Sequence, residues 1–248
     1  MGSALVWLPY CGAAPAPAEW LGRWNLDPLL IVALLVAGVA YERLYGGEPW
    51  HRRRYFWAAM ALAVLLFVSP FCALSSALFT ARVVHHVLLA TAIAPLLVLA
   101  LPRGGVARGG LALWTGVQAL TFWLWHAPPV YAWALSSDAA YWLMQVTLTA
   151  TAVGFWSAVR RAQAPMAVVA LFVTMVQMGV LGALITLASR ALYAPHFLAA
   201  PLWGLTPLED QQVAGLIMWA PAAGAYLAAA LFLLGRWLDR ERGAGLAA

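Results

Sequence analysis

The chain has 248 residues, 65% hydrophobic and only 9% charged, with a mean hydropathy of +0.83. Soluble domains are roughly half apolar and about a quarter charged, and disordered chains are poor in hydrophobic residues, so both classes are excluded. The net charge of +5 rests on fourteen arginines and no lysine; a retinal Schiff base, which needs a lysine, is excluded too, and the placement of the arginines explains the basic balance without a nucleic-acid partner.

Residues 1–27 lack the basic start of a signal peptide and read as an extracytoplasmic N-terminal segment. Cys11 and Cys72 make no disulfide framework, and a single bridge between them is left open. A membrane helix needs about 20 mostly apolar residues, and seven stretches qualify: Pro28–Leu44, Tyr55–Leu74, Val83–Leu101, Leu111–Trp125, Ala139–Val159, Met166–Ala188 and Gln211–Leu234. They predict an all-α, seven-helix transmembrane bundle over residues 28–237, with a cytoplasmic tail over 238–248. Loops are short except Ser189–Asp210, which carries Pro195, Pro201 and Pro207.

Orientation follows from the arginines. Arg43, Arg52, Arg53, Arg54, Arg103, Arg108, Arg160, Arg161, Arg236, Arg240 and Arg242 fall on one side of this topology, and only Arg23, Arg82 and Arg190 on the other. The positive-inside rule then puts the N-terminus outside and the C-terminus in the cytoplasm, a parity that seven spans satisfy.

The polar side chains gather at the outer face. His85 and His86 open the third segment, His126 closes the fourth, His196 lies in the long loop, Cys72 is near the outer end of the second, and Asp210 and Gln211 begin the seventh. Imidazole and soft sulfur ligands suit copper, so His86 and His126 lead as ligands, with His85, His196, Cys72 and Met218 behind them. Asp210 and Gln211 are expected to orient a histidine or a loop behind the ligands, although a carboxylate at a helix start also serves as a cap. For each histidine the alternative is a hydrogen bond that closes a helix end or a loop. The spacing holds no HExxH or CxxC pattern, nor a nucleotide-binding glycine pattern.

Three blocks carry more. They are Val84-His85-His86-Val87-Leu88-Leu89 followed by Ala94-Pro95-Leu96, then Leu124-Trp125-His126-Ala127-Pro128-Pro129-Val130-Tyr131, then Gly204-Leu205-Thr206-Pro207-Leu208-Glu209-Asp210-Gln211-Gln212 leading to Gly215, Met218 and Trp219. In this order, with Ser69-Pro70 at the end of the second segment, they resemble the CtaG family of caa3-type cytochrome c oxidase assembly factors over nearly the whole chain. The sequence departs from that family's His-Met-x-x-His run: Arg82 and Val83 stand where its first His and Met would be, and His86 matches its second His. The resemblance implies a multi-pass protein of the bacterial plasma membrane that is not an enzyme. It would bind Cu(I) at the outer face and deliver it to an oxidase subunit, with a copper donor protein as a further partner. Two alternatives stand beside it. One is a metal-free structural chaperone for oxidase subunits. The other is an intramembrane zinc hydrolase, which would need three histidines and an open position for water, and whose usual HxxxH pair is missing here.

Overall fold

The computed structural model describes residues 7, 9–102 and 108–245. Arg103, the first six residues and Leu8 of the N-terminal segment, and the last three residues of the tail lie outside the described residues. Among the described residues the fold is all helical.

Local chemistry sets the helix boundaries. Helix α1 (Pro28–Tyr45) starts on a proline, with the Asp27 side chain accepting from the Leu29 N–H at 2.8 Å. Helix α2 (Trp50–Phe67) follows Pro49 and meets a break at Ser69-Pro70, where Ser69 accepts from the Phe71 N–H at 3.2 Å. Proline has no N–H to continue the ladder, so the chain bends by 51° into α3 (Pro70–Ala77). The second expected segment is therefore two helices joined at a bend. Helix α4 (Phe79–Leu88) begins directly after the extended Leu78 and runs through a π-helical turn, Leu89–Ile93, into α5 (Ala94–Ala100).

Helix α6 (Leu111–His126) stops because Ala127 precedes a proline and is extended; the short α7 (Pro128–Ala134) follows. Helices α8 (Asp138–Arg161) and α9 (Ala164–Thr186) are long. The long loop contains the 3-10 turns Ala194–His196 and Ala200–Trp203. Helix α10 (Pro207–Ile217) opens with a capping box in which the Thr206 and Glu209 side chains satisfy each other's backbone amides. A second π-helical turn, Met218–Ala222, absorbs Pro221 and leads into α11 (Ala223–Gly245).

Among the described residues five helices, α4 to α5 and α10 to α11 each counted as one, are long and apolar enough to cross a membrane, and the bent α2–α3 pair makes a sixth. The expected fourth segment is short: α6 has 16 residues, about 24 Å against a hydrocarbon core of about 30 Å.

Packing follows small residues. Helices α9 and α10 meet at Gly182 and Gly215, where an added Cβ on Gly215 would lie 2.7 Å from the Gly182 carbonyl oxygen. Helix α1 is the least embedded: it buries Leu30, Gly38 and Tyr41 and leaves Leu29, Leu35 and Val36 exposed. Tyr41 stacks on Phe56 at 3.8 Å and donates to the Ala100 carbonyl at 3.1 Å. At the other end, a Cys11–Cys72 disulfide pins the N-terminal segment to α3.

Candidate functional site

The site is built on α4. Its first amides have no acceptor within their own helix, and Asp210 supplies one from the first turn of α10. The Phe79 N–H donates to Asp210 Oδ2 at 2.7 Å and the Thr80 N–H to Oδ1 at 3.0 Å; the Thr80 hydroxyl donates to the Asp210 carbonyl at 2.8 Å. The carboxylate is fully buried, and the positive end of the α4 dipole favours its charge. Asp210 thus caps another helix and clamps α10 to α4, and none of these bonds goes to a histidine ring. Gln211 holds the long loop, accepting from the Leu192 N–H at 2.7 Å and donating to the Ile185 carbonyl at 3.1 Å.

Helix α4 then presents Arg82, His85 and His86, all fully buried. The two histidines lie six and seven residues past Phe79, about 10 Å along the axis, so they are not at an exposed helix end as the sequence suggested. They also diverge. His85 meets the edge of Phe67 at 4.7 Å between ring centroids, whereas His86 meets His126 at 5.5 Å, the rings perpendicular.

His126 is the last residue of α6 and is buried. Its Nδ1 lies 2.7 Å from the Phe122 carbonyl oxygen, which can only accept, so Nδ1 carries the proton and Nε2 keeps its lone pair. Neither nitrogen of His86 nor Nε2 of His126 makes a hydrogen bond among the described residues. The Tyr193 hydroxyl fixes the end of α6 by donating to the His126 carbonyl at 2.8 Å.

Arg82 is the main departure from the loop position read from the sequence. It sits inside α4 one turn before His86, with its guanidinium 5.1 Å from the centre of the Tyr141 ring. Among the described residues no carboxylate is within ion-pair distance of it.

The other candidates stand apart. His196 Nε2 lies 2.6 Å from the Tyr131 hydroxyl, beside a stack of Phe79 and Tyr193 at 3.7 Å. Burial pushes the His196 pKa down to about 3. The Cys72 sulfur is bonded to Cys11, so it offers no thiolate, and its place among the ligands is withdrawn. Met218 is buried at the start of the second π-helical turn, which packs against α4. Among the described residues no three His, Cys, Asp or Glu side chains converge where a metal ion could sit. Of the expected ligands, His86 and His126 form the tightest ring pair, and His85 stands 6.0 Å from His86 with both ring nitrogens also without a hydrogen bond among the described residues. Two neutral imidazoles can share a soft cation through bonds of about 2 Å, while the charge of Arg82 opposes it.

Sequence reasoning missed the burial of Arg82 and the tyrosines around it. An arginine followed at once by an apolar run is the signal that could have found the first, since charges at membrane depth are rare and face the bundle interior. Tyr131 and Tyr141, which lie beside its guanidinium, gave no such signal.

Residues 32–116 and 112–240 match the family model described as cytochrome c oxidase caa3 assembly factor. No curated protein and no solved structure matches the chain.

Proposed function

The chain belongs to the family of caa3 cytochrome c oxidase assembly factors, and from that premise we propose that it takes up Cu(I) as cargo on His86 and His126 and passes it to an oxidase subunit, without catalytic turnover of its own. One observation carries this reading: two imidazoles lie 5.5 Å apart, centroid to centroid, in the buried core with three ring nitrogens that make no hydrogen bond among the described residues. Buried polar atoms are nearly always satisfied, and an unfilled ion site is one cause of exceptions. Neutral imidazole binds copper, and a site with few ligands releases its ion readily, as delivery requires.

The same proposal sets the chain in a bacterial plasma membrane with seven spans, the 16-residue α6 included as a short one, and with the N-terminus outside. The arginine distribution supports this orientation. So does the Cys11–Cys72 disulfide at the arginine-poor end, because such bonds persist in oxidising compartments outside the cytoplasm. A second reading, a metal-free chaperone for oxidase subunits, is favoured by Arg82, whose buried charge one turn from His86 repels a cation.

The two are separated by loading purified protein with Cu(I), desalting, counting copper, and measuring affinity against a chelator of known strength. The expected result is one copper per chain. His86→Ala and His126→Ala should each weaken binding at least about tenfold, roughly 1.4 kcal/mol. A parent that binds no copper, or variants that bind like the parent, would establish the chaperone reading instead.

A further inference from the structure

The opposite, arginine-rich end of the bundle carries a groove of about 490 Å³ between α5, α8, α9 and α11. Its wall is apolar, with Leu99, Phe232 and Leu233 prominent, and its rim bears Arg160, Arg236 and Arg240. The rim has two parts. Arg160 is fixed, donating to the Leu101 carbonyl at 3.0 Å and to the Val98 carbonyl at the end of α5. Arg236 and Arg240 are exposed and lie one turn apart on α11, on the same face. Neither makes an ion pair among the described residues, and Asp239 and Glu241 on the same helix do not line the groove. The Arg236 guanidinium lies 5.6 Å from the centre of the Phe232 ring, at the point where the charged rim passes into the apolar wall. Trp237 stands beside it, a side chain suited to the level of lipid headgroups.

We propose that this groove holds an anionic phospholipid, with its phosphate between Arg236 and Arg240 and an acyl chain along Leu99, Phe232 and Leu233. The two halves of the groove ask for the two halves of one ligand. A free anion would meet the rim and leave the wall unfilled, a neutral acyl chain would do the reverse, and a zwitterionic lipid brings a cation to a cationic rim. Basic pockets between membrane helices at the arginine-rich side bind acidic headgroups for these reasons.

The test uses the full chain, stripped of lipid in a neutral detergent and titrated with phosphatidylglycerol or phosphatidylcholine, with retained lipid read by native mass spectrometry. Phosphatidylglycerol should be retained at concentrations where phosphatidylcholine is not. The double variant Arg236→Gln, Arg240→Gln should weaken that retention about tenfold or more, each basic residue near the surface contributing about fivefold. Arg43→Gln, on α1 and outside the groove, should leave retention unchanged. The proposal is overturned if the two lipids bind alike, if the double variant retains phosphatidylglycerol like the parent, if Arg43→Gln weakens it equally, or if inorganic phosphate displaces it. Far-ultraviolet circular dichroism establishes that the variants keep their helices.

Discussion

Asp210→Ala removes the acceptor for both the Phe79 and Thr80 amides, at a side chain with no exposed surface. A buried donor left without a partner costs about 1–3 kcal/mol, so the two together predict a loss of about 2–6 kcal/mol. Asp210→Asn keeps one acceptor oxygen but turns an amide N–H toward the second donor, and should cost about half as much. Glu209→Ala, one residue away and exposed, breaks only the capping box of its own helix and should cost about 1 kcal/mol. Equilibrium unfolding by sodium dodecyl sulfate in mixed micelles, followed by circular dichroism, ranks the three. The expected order is Asp210→Ala worst, Asp210→Asn intermediate and Glu209→Ala mildest. If Asp210→Ala costs less than about 1 kcal/mol, or no more than Glu209→Ala, the clamp between α10 and α4 does not hold the fold as argued.

The Cys11–Cys72 bridge closes a separation of 61 residues, for which the chain-entropy model gives about 4 kcal/mol. Reductant should lower the melting temperature of the parent and leave a Cys11→Ser, Cys72→Ser variant unmoved. The His196 imidazole has a pKa near 3 when folded against an ordinary 6.5, so below pH 6.5 the unfolded chain takes up a proton that the folded one refuses. His196 therefore makes stability fall between about pH 6.5 and 3, at up to about 1.4 kcal/mol per pH unit; chemical unfolding across that range should show a shallower fall for His196→Gln, and an identical fall would refute the assignment. Gly215→Ala would place a methyl group 2.7 Å from the backbone of α9 and should destabilise by about 1–3 kcal/mol. Gly224→Ala, with open space around it, should be neutral or slightly stabilising in the same melt.

The apolar stretches were legible because lipid leaves the chain no other economical structure: α1, α6, α8 and α9 begin and end within a few residues of the expected positions. The misplacements have local or tertiary causes. Helix α4 starts four residues before the expected Val83 because its cap comes from Asp210, 131 positions away from Phe79, and no local pattern announces that. The capping box of Thr206 and Glu209 was readable, since Thr-x-x-Glu is its signature, and it would have moved the start of the last span from Gln211 to Pro207. A shared end for His86 and His126 followed from the parity of the segments. Their depth did not, because it depends on how far α4 extends beyond them, and the fate of Cys72 depended on where a segment outside the bundle folds back.

The link between residues 210 and 79 also orders events in time. A chain emerges from its N-terminus, so α4 is made long before α10 exists, and throughout that interval the amides of Phe79 and Thr80 await their acceptor. Every helix that carries a histidine of the pair can already be in place, yet the one bearing His86 is not anchored. The later arrival of α10 is what caps it. A product truncated before Pro207 would hold both imidazoles and still lack the fixed distance between them.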